Sequence, residues 1–303
     1  MKVEPITPVF AARVTGIDLK APLSEEQIRA IGAACDEHGM LVFPDQHLST
    51  EELVVYGRHF GPIDTTLQTR LMNKFQTRLG NDEVSDISNL AVSGEVAPRE
   101  HPQAVMNVGN RFWHSDRSFA DLPDRYSIWS AFQVVDEGGE TDFADLRAAY
   151  DTLDPVLKDY IADKHGVFYS HNTRDWLCIG DSNDERHAYP PVKWPMVRTH
   201  PGSKRKLIWC DSKVCRVVEL SLPEGRAIIH ELIEHIGEER HRYRHAWRPG
   251  DLVMVDNRCT LHRGRRFDLS LPRELRRVEI VDDVPSLGEL SWEEWVPQPY
   301  AAA

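Results

Sequence analysis

The sequence predicts a mainly β protein with flanking helices, folded as a double-stranded β-helix, or jelly roll. Its apolar runs are short and are separated by turn signals, which is typical of strands in antiparallel sheets. Capping boxes and helical periodicity mark only a few helices, placed towards the ends of the chain. The regular strand–helix alternation that builds a parallel α/β sheet is not visible, so two antiparallel sheets are expected.

Composition favours a single soluble domain. The chain has 303 residues with 41% hydrophobic composition and no linker, which predicts one domain over residues 1–303. A net charge of −12 does not favour binding to nucleic acid, which requires positive charge. The apolar runs are too short to cross a bilayer. The five cysteines lack Cys-x-x-Cys spacing, and the N-terminus lacks a signal-peptide core. We therefore expect a cytoplasmic protein with no nucleic-acid or membrane partner.

Residues 1–62 are predicted to form a scaffold at the front of the domain. Two capping boxes, one beginning at Ser24 and the other at Ser49, each begin a helix. Glycines end both helices, since glycine is the usual residue after a helix C-terminus. The predicted elements are one or two strands in Pro8–Leu19 joined near Gly16, a helix ending at Gly39, a buried strand Met40–Phe43 and a helix ending at Gly61-Pro62.

The rest of the chain alternates between predicted elements and two long irregular segments. Residues 63–110 and 165–195 are rich in polar residues, glycine and proline, and we expect both to be active-site loops. The tail, residues 285–303, is aromatic and proline-rich, so it docks either on a neighbouring subunit or on its own core. The predicted elements are strands Tyr126–Val135, Arg242–Trp247, Leu252–Val255 and Val278–Val281, and helices Asp145–Leu153, Val156–Ile161 and Pro223–Ile236.

A candidate metal centre follows from three side chains. His114 and Asp116 alternate along the chain, so an extended backbone presents both from one side. A third ligand is expected from His262, which follows an apolar run far downstream. Two histidines and one carboxylate on one face of a metal are the ligand set of non-haem Fe(II) oxygenases. An isolated His-x-Asp is also common as a pair of ordinary polar residues.

Two arginines after His262 are candidates for anion binding. Arg277 falls within a predicted strand and must face either into or out of the sheet, and Arg273 precedes it. A guanidinium inside a cavity needs a bound anion, because a buried charge must be paired. Two such arginines imply two carboxylates. The neighbouring arginines form either a solvated patch or an intersubunit salt-bridge surface; they are Arg263, Arg265, Arg266 and Arg276.

These motifs together resemble those of the taurine dioxygenase superfamily, and the similarity runs from Pro8 to about Asp282. The motifs are Trp113-His114-Ser115-Asp116, Gly138-Gly139-Glu140-Thr141, Asp256-Asn257-Arg258, His262-Arg263-Gly264, Arg273 and Arg277. The resemblance implies that His114, Asp116 and His262 hold Fe(II). It implies that Thr141 and Arg273 bind the distal carboxylate of 2-oxoglutarate. It also implies that Arg277, with Asn110 nearby, receives the anionic group of the substrate.

The implied activity is the Fe(II)-dependent hydroxylation of a small carboxylate, an aryloxyacetate such as 2,4-dichlorophenoxyacetate, by O2 and 2-oxoglutarate. The products would be a phenol, glyoxylate, succinate and CO2, as in the degradation of an aromatic herbicide. A homo-oligomer is expected. The alternatives are a dioxygenase of taurine, an alkylsulfonate or an alkyl sulfate, and a non-catalytic jelly-roll protein with a structural metal. One departure concerns the pocket near the metal, since Val255 stands where many relatives have Trp.

Overall fold

The computed structural model of the protein describes residues 1–66, 77–101, 104–105, 107–179 and 189–291. The helices are α1 (Glu25–His38), α2 (Thr50–Arg58), α3 (Leu146–Thr152), α4 (Pro155–Ile161), α5 (Asn172–Trp176) and α6 (Leu222–Ile236), with 3-10 turns at Asn107–Arg111 and Glu239–His241. The strands are β1 (Lys2–Pro5), β2 (Ala12–Thr15), β3 (Met40–Phe43), β4 (Ser85–Ser88), β5 (Asp124–Gln133), β6 (Thr141–Asp145), β7 (His165–Phe168), β8 (Val192–Pro195), β9 (Val197–Thr199), β10 (Lys206–Ile208), β11 (Val214–Val217), β12 (Arg242–His245), β13 (Leu252–Asp256), β14 (Thr260–Gly264) and β15 (Glu274–Val281).

Two facing sheets form a jelly roll, as predicted. The major sheet has the order β1-β2-β3-β13-β5-β15-β4 and the minor sheet β12-β6-β14. Pairing in these two sheets is antiparallel except between β2 and β3. The inner faces meet through Trp129 and Val253 of the major sheet and Phe143 of the minor sheet. Smaller sheets, β11-β7-β8 and β10-β9, lie beside this core.

Helices cover the outer faces of both sheets. Ile31 of α1 and Leu53 of α2 pack on the major sheet, and Leu232 of α6 packs in the cluster that includes Leu261 of the minor sheet. Because both faces of the major sheet are covered, its central strand β13 carries apolar residues on both faces from Leu252 to Val255. Leu252 and Met254 belong to the helix-side cluster, and Val253 and Val255 to the cluster between the sheets.

Most helix boundaries agree with the sequence prediction to within a residue or two, but α2 ends at Arg58 and not at Gly61-Pro62. Ser24 and Ser49 both form complete capping boxes, and Gly39 ends α1 in the left-handed conformation, with φ of 70°. Asp145 caps α3 by accepting hydrogen bonds from the backbone N–H groups of Arg147 and Ala148. None of the described helices is both long enough and apolar enough to span a membrane.

Two parts of the loop prediction were wrong. Residues 63–110 contain strand β4, which pairs with β15 at the edge of the major sheet, and residues 165–195 contain β7, α5 and β8. These strands are short and lie between polar residues, so they formed no recognisable pattern. Near the N-terminus, one strand, β2, lies within Pro8–Leu19, and it pairs with the earlier strand β1 as well as with β3. Residues 67–76, 180–188 and 292–303 of the predicted loops and tail lie outside the described residues.

Candidate metal centre and anion pockets

The candidate metal centre lies where the chain before β5 meets β14. The backbone N–H of His114 donates to the carbonyl oxygen of His262 at 3.1 Å, and the N–H of His262 donates to that of His114 at 2.8 Å. This two-way bridge places the imidazole rings side by side, with 4.2 Å between their centroids. The fold therefore brings together two histidines that are far apart in the sequence.

Asp116 completes the cluster. Its Oδ1 atom lies 3.9 Å from Nε2 of His114 and 3.7 Å from Nε2 of His262. One ligand atom from each of the three buried residues lies within 4.8 Å of the others. Nδ1 of His114 is 2.8 Å from the carbonyl oxygen of Phe112. Since a carbonyl only accepts, Nδ1 carries the hydrogen and Nε2 is left for a metal.

The protonation states suit a divalent metal. Burial lowers the pKa of both imidazoles, that of His262 to about 3, so both rings are neutral at pH 7. Burial alone would raise the pKa of Asp116, but the charge of Arg277, together with the hydrogen bond from Ser127, holds this pKa below its usual range. One carboxylate and two neutral imidazoles are the protonation states that metal binding requires. The donor set fits Fe(II).

Hydrogen bonds fix which oxygen of Asp116 faces the histidines. The hydroxyl of Ser127 donates to Oδ2 at 2.6 Å, and the side-chain amide of Asn257 donates to the Ser127 oxygen at 2.9 Å. Oδ2 is therefore held on the side of Ser127, and Oδ1 is left facing both Nε2 atoms. Asn257 belongs to a motif quoted above, but nothing in the sequence pointed to Ser127, because its partners come from distant segments.

Arg277 faces inward, and two carboxylates hold it. Its Nη1 atom lies 2.9 Å from each oxygen of Asp116, and its Nη2 atom lies 2.7 Å from Oε1 of Glu279. The other oxygen of Glu279 accepts a hydrogen bond of 2.6 Å from Ser85. Nε of Arg277 is buried and has no hydrogen-bond partner among the described residues. The alternation of Arg277 and Glu279 along one strand was a signal for this pairing, and our sequence reasoning missed it.

Arg273 differs from Arg277 because no carboxylate pairs with it in the described part of the chain. The residue is 9% exposed, and its Nη2 donates to the carbonyl oxygen of Gly139 at 2.9 Å. Burial lowers the pKa of its guanidinium to about 10. Together with Gly139 and Trp247, Arg273 lines a cleft of about 60 Å³. A buried cation without a counter-ion is costly, so this cleft is suited to an anion.

Thr141 lies beside this cleft. It begins β6, on which Phe143 is the cross-strand partner of His262, so Thr141 is close along the strand to the metal centre. Its hydroxyl oxygen accepts a hydrogen bond of 2.9 Å from the indole of Trp247. Because that oxygen already accepts, the hydroxyl hydrogen is free to be directed at a second acceptor. Trp247 thus connects Thr141 with Arg273, a link that the sequence did not reveal.

The glycine pair before Thr141 is required by the same cleft. Gly138 and Gly139 both have positive φ angles, 77° and 68°. A Cβ atom on Gly138 would lie 2.4 Å from the carbonyl oxygen of Arg266, and one on Gly139 would lie 3.0 Å from Nε of Arg273. The pair therefore permits the close approach of the chain to Arg273.

Two further predicted features lie near the centre. Asn110 is exposed on the 3-10 turn that packs against β14, and its amide is 3.4 Å from the side-chain oxygen of Asn107.

Val255 is fully buried in the cluster that contains Trp129 and Phe143. The rings of both aromatic residues contact that of His262, with centroid distances of 5.0 and 6.0 Å. Although residue 255 is valine, two other aromatic side chains, Trp129 and Phe143, therefore contact His262.

A second buried group of potential ligands has a structural explanation. His200, Asp256 and Cys259 offer ligand atoms close together. However, Asp256 already accepts hydrogen bonds from Nε2 of His200 at 3.0 Å and from Nε of Arg258 at 2.8 Å. Burial raises the pKa of the Cys259 thiol, which keeps it protonated. The positive charge of Arg258 opposes a second cation here.

Comparison with known proteins gives consistent matches over most of the chain. The profile of the family described as "Taurine catabolism dioxygenase TauD, TfdA family" matches residues 2–278. The alpha-ketoglutarate-dependent 2,4-dichlorophenoxyacetate dioxygenase of Cupriavidus pinatubonensis is 43% identical over 282 residues, which is 92% of this chain and 97% of that protein. The (S)-phenoxypropionate/alpha-ketoglutarate-dioxygenase of Sphingobium herbicidovorans is 31% identical over 94% of this chain and 96% of its own.

A solved structure matches equally well. The crystal structure of AAD-2 in complex with Mn(II) and N-oxalylglycine superposes with a TM-score of 0.87 at 34% identity, covering 94% of this chain and 99% of the other. The crystal structure of a putative alpha-ketoglutarate dependent 2,4-D dioxygenase from Burkholderia xenovorans superposes with a TM-score of 0.78 at 33% identity, covering 93% of this chain and 97% of the other. The similarity therefore includes the arrangement of strands as well as the sequence.

Proposed function

Because the chain belongs to the taurine catabolism dioxygenase TauD, TfdA family, we propose that it hydroxylates an aryloxyalkanoate carboxylate, with 2,4-dichlorophenoxyacetate as the representative substrate. It is a dioxygenase that depends on Fe(II) and 2-oxoglutarate and consumes O2. One observation carries the assignment of roles: Arg273 is a buried arginine without a carboxylate partner in the described chain, and it lies beside the start of β6, the strand that pairs with His262 on β14. A purely structural metal would not need this cation.

In this proposal, His114, Asp116 and His262 hold the iron, and the rest of the chain binds and orients the organic reactants. When bound, Fe(II) and O2 supply the oxidising chemistry that couples decarboxylation of 2-oxoglutarate to hydroxylation of the substrate. Overall, substrate, 2-oxoglutarate and O2 give hydroxylated substrate, succinate and CO2. Hydroxylation beside the ether oxygen of an aryloxyacetate gives a hemiacetal, which separates into a phenol and glyoxylate.

Arg273 and Thr141 bind the distal carboxylate of 2-oxoglutarate. The guanidinium contributes a charge-assisted hydrogen bond, and the Thr141 hydroxyl, oriented by Trp247, donates a neutral one. Arg277 binds the carboxylate of the substrate through its unpaired Nε edge, with Asn110 nearby. Fixing both reactants relative to the metal lowers the entropic part of the activation barrier. In well-oriented reactions this reduction is on the order of 7–11 kcal/mol.

The first experiment tests the substrate class. Succinate release should be measured with 2,4-dichlorophenoxyacetate, an aryloxypropionate, taurine, an alkylsulfonate and an alkyl sulfate. We expect the aryloxyalkanoates to give the highest kcat/KM, because the relatives with the most similar sequences are named for such substrates. A higher kcat/KM for taurine or an alkyl sulfate would assign the enzyme to the alternative substrate class, since Arg277 can bind any small oxyanion.

The second experiment tests the two arginines. Arg273→Ala should raise the KM for 2-oxoglutarate by orders of magnitude, and Thr141→Val should raise it less. Arg277→Ala should raise the KM for the acid substrate by a factor that corresponds to about 2–5 kcal/mol of lost binding free energy. The KM for 2-oxoglutarate should change little. Arg276→Ala is the matched control, because Arg276 directly precedes Arg277 on the same strand and its side chain pairs with Glu274. An unchanged 2-oxoglutarate KM in Arg273→Ala would contradict the assignment.

The remaining properties are proposed on composition. The net charge of −12 gives no basis for nucleic-acid binding, and we propose a cytoplasmic enzyme that binds neither nucleic acid nor membrane. We also propose that it assembles as a homo-oligomer. Sedimentation velocity of the purified protein, compared with the 34.7 kDa of one chain, measures the number of subunits.

A further inference from the structure

Lys213 is a cation near the metal centre to which the proposed function assigns no role. Its Nζ atom donates to the hydroxyl oxygen of Thr173 at 2.8 Å and to the carbonyl oxygen of Ser170 at 3.3 Å. Both acceptors are neutral, and no carboxylate lies within ion-pairing distance of Nζ in the described part of the chain. Burial lowers the pKa of this ammonium to about 8, so it remains mainly charged at pH 7. The ammonium therefore has no close ion pair among the described residues, although the charges of Asp211 and Asp116 act on it from a greater distance.

Asp211, the acidic residue closest to Lys213 in sequence, makes its hydrogen bonds with other groups. Its Oδ1 accepts from the backbone N–H of Lys213 at 2.7 Å, and its Oδ2 accepts from the backbone N–H of Ser115 and the hydroxyl of Ser118. Asp211 therefore fixes the backbone of Lys213 relative to the metal-binding segment. It leaves the ammonium available for another anion.

Lys213 lies beside the segment that carries the metal ligands. The backbone N–H of Ser212 donates to the carbonyl oxygen of Trp113 at 2.9 Å, so the two chains run side by side. The backbone of Lys213 therefore lies next to the segment that carries His114 and Asp116.

Aromatic residues lie beside Lys213 and in the segment that carries the metal ligands. The ammonium of Lys213 lies 5.9 Å from the centroid of the Phe119 ring, which packs edge-on against Tyr189. Phe112, two residues before His114, packs edge-on against Trp176 of helix α5, and Trp176 is 43% exposed. A cation among aromatic rings is suited to a ligand that carries both a carboxylate and an aryl group.

We propose that Lys213 is a second substrate-binding cation, which contacts the carboxylate of the aryloxyalkanoate. This inference rests on the proposed function. Arg277 alone adds little net positive charge, because Asp116 and Glu279 hold its terminal nitrogens. Lys213 supplies a positive charge without a counter-ion, so it attracts the anion and favours acids over neutral analogues of the same shape.

Equilibrium binding tests this proposal without catalytic turnover. The wild-type protein, loaded with Mn(II) and 2-oxoglutarate under anaerobic conditions, is titrated calorimetrically with 2,4-dichlorophenoxyacetate and with its uncharged amide. Lys213→Met removes the charge and keeps the length of the side chain. Lys213→Gln is a second variant that retains a donor to Thr173. The control is Lys206→Met, because Lys206 is an exposed lysine that stacks on Tyr150.

We expect both Lys213 variants to bind the acid at least tenfold more weakly than wild type and the amide equally well, while Lys206→Met binds both as wild type does. The affinity for 2-oxoglutarate should not change. If Lys213 only supports helix α5, acid and amide will weaken together, and the proposal is wrong. It is also wrong if the variants bind the acid normally.

The titration of wild type separates the role of Lys213 from the proposed function. Wild-type protein that binds and hydroxylates the acid, with no acid-specific loss in the Lys213 variants, overturns the role of Lys213 alone. Wild-type protein that neither binds nor hydroxylates any aryloxyalkanoate overturns the proposed function, and the role of Lys213 with it.

Discussion

At the scale of single residues, the two oxygens of Asp116 have different surroundings. Oδ1 faces the Nε2 atoms of both histidines, whereas Oδ2 accepts the hydrogen bond from Ser127. Arg277 contacts both oxygens and keeps the carboxylate ionised. Groups that hydrogen-bond to metal ligands orient them and strengthen metal binding. In the proposed metal centre, Ser127 would therefore act on the metal through Asp116.

Ser127→Ala should weaken Mn(II) binding by about 10–100-fold, because Asp116 loses the bond that fixes its orientation. Ser130→Ala is the matched control, since Ser130 is a buried serine of the same strand but alternates to the other face. Calorimetric titration with Mn(II), without 2-oxoglutarate, measures the effect. Equal affinities in the two variants would show that Ser127 does not position the ligand.

At the scale of elements, Gly39 determines how helix α1 joins strand β3. Its φ of 70° ends the helix, and its N–H donates to the carbonyl oxygen of Cys35. A Cβ atom here would lie 2.9 Å from Nη2 of Arg147, which forms a buried ion pair with Asp145. The turn therefore depends on glycine for both its conformation and its space. By contrast, a Cβ atom on Gly32, inside the same helix, would meet no neighbouring segment within 4 Å.

These two glycines should respond oppositely to alanine. Gly39→Ala should lower the free energy of unfolding by about 1–3 kcal/mol, because it adds strain and displaces Arg147. Gly32→Ala should raise it by about 0.5–1 kcal/mol, because alanine loses less backbone entropy in a helix. Urea unfolding followed by circular dichroism measures both changes. Destabilisation by Gly32→Ala would mean that the space beside it is filled in solution.

At the scale of the whole molecule, the metal centre links distant parts of the chain. His114 and Asp116 precede β5, and His262 lies on β14, so the three proposed ligands meet only in the folded protein. A ligand that binds only the folded state stabilises it, by about 2.7 kcal/mol at a free concentration of 100 times Kd. Metal binding should therefore be visible as thermal stabilisation.

Mn(II) should raise the Tm of the wild-type protein and leave that of His262→Ala nearly unchanged, since the variant lacks one of three ligands. Addition of 2-oxoglutarate should raise the Tm further in wild type but much less in Arg273→Ala. Differential scanning calorimetry under anaerobic conditions measures these shifts. The same Mn(II)-dependent shift in His262→Ala would place the metal elsewhere.

Local chemistry made several parts of the fold predictable from the sequence. The capping boxes at Ser24 and Ser49 and the left-handed Gly39 are formed by residues close together in the chain, so their signals are complete in the sequence. The buried strand at Met40–Phe43 was equally clear. For the site, His114, Asp116 and His262 were identified as a ligand set from residue type and spacing, together with the resemblance, and the structure brings them together.

Other features depended on tertiary structure. The strands β4, β7 and β8 have weak patterns, and their partners supply the hydrogen bonds that stabilise them. The bond between Ser127 and Asp116, and the hydrogen bond of the Lys213 ammonium to Thr173 in place of an ion pair within the described chain, result from packing between different segments. The sequence by itself determined the local turns, the caps and the types of the metal ligands. Only the tertiary structure decided which charges are paired, because pairing depends on distances that chain folding alone creates.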